Sequence, residues 1–341
     1  MNLLYNNLDA VIKAPNLKIG DYLIALDKLG LGFVIITDQR SVVNVITDGD
    51  LRRELLSGKT INDRYICDKK KFIYASINTT VKKLRHLINH KKIKVLPLID
   101  EKRSLVAILT SNGSGKDFKG FIMAGGEGRR LRPLTLSTPK PLLQIAGQTL
   151  LHRAITSLRA AGVSNIEISI NYLAEQFEEY CLKNYTEKEI KLIRESKKLG
   201  TAGSLNITKD DNKDLLVCNA DLITDFDYLQ LVLTGISENF DLVVAARKYW
   251  HRIPFGVIVT ENNVVETIQE KPKIEINVSA GIYFIRNKVL NLIPQDDFFD
   301  MPDLINKCLQ KGYKVGSVNI DSTWVDIGRQ EQFDDAIKQY E

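Results

Sequence analysis

A pattern of about sixty residues occurs twice in the first third of the chain, and repetition limits the choice of fold more than any other feature. Each copy must be one supersecondary unit that buries its apolar face against the other. In the first copy, residues 32–38 form an apolar strand ending in a turn, residues 41–50 follow as a second strand, and residues 51–56 open a helix. The strands return at 94–100 and 104–110, so that Ser41 matches Ser104 at an offset of 63. A helix-like segment precedes each pair of strands, at 19–29 and at 80–90, the latter after a cap at Asn78 or Thr79.

Two helix–strand–strand–helix units of this kind resemble a tandem pair of cystathionine-β-synthase (CBS) domains, a Bateman module of α+β type, over residues 1–112, divided at about residue 62. The piece that carries the likeness best is Thr47-Asp48-Gly49-Asp50-Leu51-Arg52-Arg53. The resemblance implies that Thr47 and Asp50 hold the ribose and phosphate of a regulatory adenine nucleotide. In the second copy Thr110 is kept, but Gly113 stands in the place of the Asp. A packing or dimerisation module without ligand is the alternative. Such pairs often self-associate, which points to a homo-oligomer. His86 and His90 share a helix face, but no Cys or carboxylate beside them completes a metal set.

After a linker at 113–118, residues 120–122 read as a buried strand, and the loop Ala124-Gly125-Gly126-Glu127-Gly128-Arg129-Arg130 follows. Three glycines in four positions leave backbone N–H groups uncovered to wrap phosphate oxygens. Arg130 and Lys140 supply fixed positive charge for a triphosphate and its transition state. The dinucleotide fingerprint is excluded, because Leu131 stands where it needs a third glycine. The Walker loop is excluded too, because Thr110 and Asp117 occupy required positions before and after Gly115-Lys116.

From residue 119 onward, apolar strands (166–170, 191–193, 215–218, 242–246, 280–285) alternate with helical patterns (150–161, 173–182, 227–236, 303–309). That order predicts an α/β fold with a mixed, mostly parallel sheet, whose ligands gather at the carboxyl ends of strands. Asp221 ends such a strand, and Asp326 precedes the last helix. Either is a Mg²⁺ ligand or a helix cap. Glu270-Lys271 reads as a sugar-phosphate contact or as a surface turn before Pro272. Gly281 lies in a small-residue strand entry that lets substrate approach the backbone, and Leu199-Gly200-Thr201-Ala202-Gly203 is a second uncovered loop.

These pieces, together with Pro139-Lys140-Pro141, Asn219-Ala220-Asp221, Phe255-Gly256-Val257 and Trp324-Val325-Asp326-Ile327-Gly328, occur in one order across residues 119–341. Here the chain resembles a sugar-1-phosphate nucleotidyltransferase with a Rossmann-like domain. The resemblance implies attack of a sugar 1-phosphate on an NTP, giving NDP-sugar and pyrophosphate, with Mg²⁺ as cofactor. It assigns catalysis to Arg130 and Lys140, and metal binding to Asp221 and Asp326. It assigns nucleotide contacts to Ala124, Gly125, Gly126, Gly128, Leu199, Gly200, Thr201, Gly203 and Asp221, and sugar-phosphate contacts to Gly256, Glu270, Lys271 and Gly281. The Leu199–Gly203 segment is similar to that of mannose-1-phosphate guanylyltransferases. A CBS pair ahead of such a domain resembles the glucosamine-1-phosphate guanylyltransferases of legionaminic acid synthesis. GTP and a hexose or hexosamine 1-phosphate are therefore the favoured substrates, with uridylyl or thymidylyl transfer, or a catalytically inactive nucleotide sensor, as alternatives.

The net charge of +5 is spread out, and no aromatics interleave the short lysine clusters at 69–71 and 91–92, which argues against nucleic acid. No apolar run reaches the ~20 residues of a membrane span. The N-terminus shows no secretory pattern, and Cys67, Cys181, Cys218 and Cys308 form no C-x-x-C. Reduced thiols in the cytoplasm are the expectation.

Overall fold

The computed structural model describes residues 2–6, 8–66, 72–111 and 118–340. The first repeat builds a three-stranded sheet from β2 (Ile12–Lys13), β3 (Phe33–Asp38) and β4 (Ser41–Thr47), with α1 (Ile19–Leu29) and α2 (Asp48–Leu56) packed on it. Helix α1 buries Ile19, Tyr22, Ala25 and Leu26, which share one face at helical spacing, and the left-handed Gly30 ends it. The second repeat gives β5 (Ala75–Ser76), α3 (Val81–Lys91), β6 (Val95–Ile99) and β7 (Leu105–Thr110).

Three details depart from the expectation. An N-terminal strand, β1 (Asn2–Leu4), crosses over to pair with β7, so the second repeat's sheet has four strands and a division at residue 62 cuts through it. No helix lies between β7 and β8 among the described residues, where the expectation placed one at the end of the second unit. The linker, with Gly113, falls outside the described residues except for Phe118, which already belongs to the next strand. Cys67 and the 69–71 lysine cluster also lie outside them. The matched serines meet: Ser41 and Ser104 form an antiparallel bridge where the repeats face each other.

The remaining chain runs through β8 (Phe118–Met123), a small hairpin β9 (Gln144–Ile145) and β10 (Gln148–Thr149), α4 (Leu150–Ala160), β11 (Ile166–Ile170), α5 (Ala174–Asn184), β12 (Ile190–Arg194), the short α6 (Gly200–Gly203), β13 (Asp214–Asn219), β14 (Leu222–Thr224) and α7 (Leu229–Ser237). It continues with β15 (Leu242–Arg252), β16 (Gly256–Glu261), β17 (Val264–Glu270), β18 (Lys273–Ile285), α8 (Met301–Gln310), β19 (Val315–Asn319), β20 (Trp324–Asp326) and α9 (Gln330–Tyr340). Seven strands form one sheet in the order β12-β11-β8-β13-β18-β15-β19. Only β18 runs against the others, so the sheet is mixed and mostly parallel, as expected. Strands β8, β11 and β13 are almost continuously buried because both faces are covered.

The four-stranded N-terminal sheet does not stand apart from this domain. Leu3, Leu84 and Leu109 share one apolar core with Phe118, Leu158 and Phe284. Arg85 of α3 donates to both carboxylate oxygens of Asp227, at 2.6 and 3.1 Å, and Tyr5 Oη donates to Asp214 Oδ2 at 2.8 Å. No helix among the described residues is long and apolar enough to cross a membrane. Cys181, Cys218 and Cys308 are buried free thiols.

Candidate active site

The glycine loop leaves the carboxyl end of β8, at the centre of the sheet. Gly128 sits at φ +62°, which an L side chain rarely adopts, and an added Cβ would come within 3.1 Å of Lys140 Cβ. Thr135 Oγ1 donates to the Gly128 carbonyl at 2.9 Å and holds this turn. A Cβ on Gly126, by contrast, would meet no protein atom within 4 Å, because that position faces an open cleft. Single helical turns at Arg129–Leu131 and Lys140–Leu142 then set Arg130 and Lys140 on the wall of a cavity of about 230 Å³. Ala124, Gly126, Gly128 and Asp221 line the same cavity.

Asp221 and Asp326 come together through the backbone. Strands β14 and β20 pair so that Leu222 faces Asp326, and Ile327 N donates to the Asp221 carbonyl at 3.1 Å. Neither residue caps a helix, because α7 starts at Leu229 and α9 at Gln330; the cap alternative falls. Lys140 Nζ donates to Asp221 Oδ2. The other oxygen, Oδ1, is buried with no hydrogen-bond partner. Burial raises the Asp326 carboxyl above its ordinary range, and the Asp221 charge adds to this, while Lys140 and Arg130 pull it down. An orphaned carboxylate oxygen beside a second, repelled carboxylate is an arrangement that a divalent cation relieves, so the donor set fits Mg²⁺. No group of three or more His, Cys, Asp or Glu side chains suited to a metal occurs among the described residues.

The cleft continues into a second cavity of about 430 Å³, lined by Gly125, Gly126, Glu127, Glu195, Gly200, Thr201, Asn219 and Asp300 among others. Of the expected nucleotide contacts, Leu199 and Gly203 line neither cavity. The Leu199 carbonyl accepts from Phe299 N, and a Cβ on Gly203 would press on the Asp297 carbonyl at 2.9 Å. Thr201 is committed to α8: its N–H and Oγ1 donate to Asp300 Oδ1, and its Oγ1 accepts from Met301 N. Gly281, at φ +72°, leaves room for the Asn219 side chain, whose Nδ2 a Cβ would approach to 2.5 Å. Gly281 therefore shapes the wall through Asn219.

Sequence reasoning missed three carboxylates here, Asp300 beside Thr201 and two more. Glu127 accepts from Arg129 Nε at 2.6 Å and from Lys198 Nζ, which hold its carboxyl down at about 2. Glu195, just beyond the end of β12, accepts from Ser169 Oγ and Leu199 N. Burial pushes its carboxyl up, and those two hydrogen bonds pull it down. A single Glu after a strand carries no motif signal; only the fold brings it to Gly125, where an added Cβ would lie 3.0 Å from Glu195 Oε1.

Gly256, Glu270 and Lys271 line neither cavity. Gly256 pairs with Glu270 across the β16–β17 ribbon, whose residues are largely exposed, and Lys271 lies 3.7 Å from the Glu270 carboxylate. Thr47 and Asp50 line a different and larger cavity, about 990 Å³, between the two repeats, together with Arg53, Phe72, Lys94 and Thr110. Their side chains are bonded to each other: Thr47 N and Oγ1 donate to Asp50 Oδ2 at 2.8 and 2.6 Å, and Arg53 also pairs with Asp50.

Residues 119–341 match the nucleotidyl transferase family model, and the chain belongs to that family. It is 32% identical over 230 residues to a mannose-1-phosphate guanyltransferase of Yarrowia lipolytica, covering 63% of this chain and 62% of the relative. A Saccharomyces cerevisiae protein of the same description is 32% identical over 232 residues, with the same coverage. The chain thus spans about three-fifths of the length of these relatives. Among solved structures, HddC from Yersinia pseudotuberculosis complexed with GMP-PN superposes with a TM-score of 0.52 at 22% identity, covering 65% of this chain and 99% of that one. A putative glucose-1-phosphate thymidylyltransferase from Bacillus anthracis gives the same TM-score and identity, covering 65% and 95%. At this identity the superpositions speak for the fold.

Proposed function

We propose that the protein is a sugar-1-phosphate nucleotidyltransferase. It joins an NTP to a hexose or hexosamine 1-phosphate and releases pyrophosphate. The observation that carries this reading is the meeting of Arg130, Lys140, Asp221 and Asp326 at the foot of a glycine loop, four side chains drawn from four separate segments. In the reaction a sugar-phosphate oxygen bonds to the α-phosphorus while the bond to the pyrophosphate oxygen breaks. Arg130 steadies the charge that gathers on the departing pyrophosphate. Lys140 neutralises the α-phosphate and the incoming sugar phosphate, two anions that otherwise repel. Asp221 and Asp326 would hold Mg²⁺, which when bound screens and orients phosphate oxygens. Asn219 and Gly281 shape the wall beside Asp221, and Glu270 and Lys271 reach the sugar phosphate only if the β16–β17 ribbon folds toward the cleft.

GTP is the favoured donor, in line with the guanyltransferase relatives. Glucosamine 1-phosphate is the favoured acceptor, from the paired repeats ahead of the domain, and mannose 1-phosphate is the alternative that the relatives' descriptions support. A pyrophosphate-release screen of four NTPs against a panel of sugar 1-phosphates tests this. GTP-dependent release that needs one particular sugar 1-phosphate is expected; no release with any pair would defeat the proposal.

The cavity between the repeats favours a second, regulatory role for residues 1–112 as a tandem CBS module ahead of the transferase domain that begins with β8. Its volume accommodates a nucleotide, and Thr47, Asp50 and Lys94 offer donors and acceptors for ribose and phosphate. Calorimetry with AMP, ADP and ATP should show binding by at least one. Absence of heat with all three, together with unchanged activity, would reduce the module to a packing role.

A further inference from the structure

Beyond the central sheet the chain extends a two-stranded arm. Strand β15 last pairs with β19 at Ala246, and β18 pairs with β13 only over residues 282–285. Further out, β15 and β18 pair with each other, from Arg247 opposite Val278 to Arg252 opposite Lys273. Ile253 N then donates to the Pro272 carbonyl, and Lys271 N to the Phe255 carbonyl, which carries the pairing on into β16 and β17. Asn262 and Asn263, at φ +49° and +67°, close the tip with the left-handed pair that a two-residue hairpin turn needs. The arm is one hairpin about 50 Å long, at about 3.3 Å per residue.

Little of it is buried. All of β17 is exposed, and all of β16 except Val257. Tyr249, Trp250, Phe255, Ile258, Ile268 and Ile276 are between 44% and 73% exposed. Ile258 stands opposite Ile268, and Tyr249 opposite Ile276, so apolar cross-strand pairs face water. A two-stranded ribbon is marginal by itself and gains stability from a further layer on its apolar face. One face of such a ribbon, about 50 Å by about 10 Å, offers about 500 Å². Two arms laid together then reach the roughly 1,000 Å² that a specific interface needs.

The charges point to a second arm as that layer. The outer part, residues 256–270, carries Glu261, Glu266 and Glu270 and no Lys or Arg. The inner part, 248–255 with 271–277, carries Lys248, Arg252, Lys271 and Lys273 against Glu275 alone. Two arms related by a two-fold axis run antiparallel, which lays each acidic outer part on the basic inner part of the other. The arm is thus complementary to itself in charge as well as in apolar surface.

We propose that this arm is a homodimer interface, lying antiparallel on the arm of a second copy of this chain with apolar faces together. The surface is separate from the paired repeats, and the proposal is independent of the transferase reading.

Sedimentation of the full chain across a concentration series tests it, with circular dichroism to check folding. The parent should sediment as a dimer at micromolar concentration. Ile258→Glu/Ile268→Glu should weaken association by about 100-fold, because it puts two charges into the apolar seam. Glu261→Lys/Glu266→Lys and Arg252→Glu/Lys273→Glu should each weaken it by about 10-fold, and the chain carrying all four changes should return to within about threefold of the parent. A monomeric parent would overturn the proposal. So would a folded Ile258→Glu/Ile268→Glu chain that keeps the parent's dimer affinity, since another surface would then join the copies. If the four charge changes together bring no recovery, the outer and inner parts do not meet, and the antiparallel pairing falls.

Discussion

The two clefts of this molecule treat their charged groups in opposite ways. Between the repeats, Thr47, Asp50 and Arg53 bond to one another, and Asp48 pairs with Arg52 at 2.8 Å. A ligand there must compete with bonds that already exist. At the carboxyl ends of the sheet, Asp221 keeps a buried oxygen without a partner, Asp326 is held above its ordinary protonation range, and Gly126 opens onto space. That cleft carries unrelieved electrostatic cost, of the kind that chemistry at phosphate needs and that stability alone would remove. A ligand there completes an arrangement the protein leaves unfinished.

Substitutions can break this contrast. The largest effect should come from Arg130→Ala. Turnover should fall on the order of 10²–10³, while the melting temperature barely moves, because Arg130 is exposed. Steady-state kinetics beside a thermal scan checks both halves. Gly126→Val should raise KM for the nucleotide by about 10²-fold and leave the fold intact, since the new side chain points into empty space. Loss of stability there would show that the space is needed by the protein and not by a ligand.

Asp326→Asn should separate function from stability. The Asp326 carboxyl is raised from 3.8 in the folded protein, chiefly by burial. The folded state then binds more protons than the unfolded state, so this group makes stability fall as pH rises from 3.8 through the folded-state pKa. The variant should melt higher than the parent at pH 7, with the gap narrowing as pH falls toward 3.8, and should lose metal-dependent activity. A lower melting point at pH 7 would mean that Lys140 and Arg130 outweigh burial. Thr47→Ala, at the other cleft, should do the reverse. It removes the hydroxyl bonded to Asp50 at the start of α2 and should cost about 1 kcal/mol in denaturant titration, with little change in basal turnover. A neutral result would dissolve the contrast between the clefts.

Much of this was legible in the chain because local pattern and final structure agree. Six of the seven strands of the central sheet follow from apolar runs alternating with helical periods, β19 being the exception, and the offset serines of the repeat end up bridged. That Gly126, Arg130 and Lys140 would share one cavity was readable because phosphate chemistry restricts residue type and spacing together. What escaped depends on contacts distant in sequence. Asn2–Leu4 looks like any short apolar start, and its partner is a strand about a hundred residues on. Glu195 is one charged residue in a basic stretch until β11 and β12 carry Ser169 and Glu195 to the same edge. Gly256, Glu270 and Lys271 were placed at the substrate by their motif, yet they belong to a ribbon whose position no local pattern sets.

The apolar core that joins Leu3 and Leu84 to Phe118 and Phe284 also limits how this chain can be taken apart. Severed just before residue 118, each half would present a greasy seam to water. Any exchange of the front module for another would have to carry a matching seam with it.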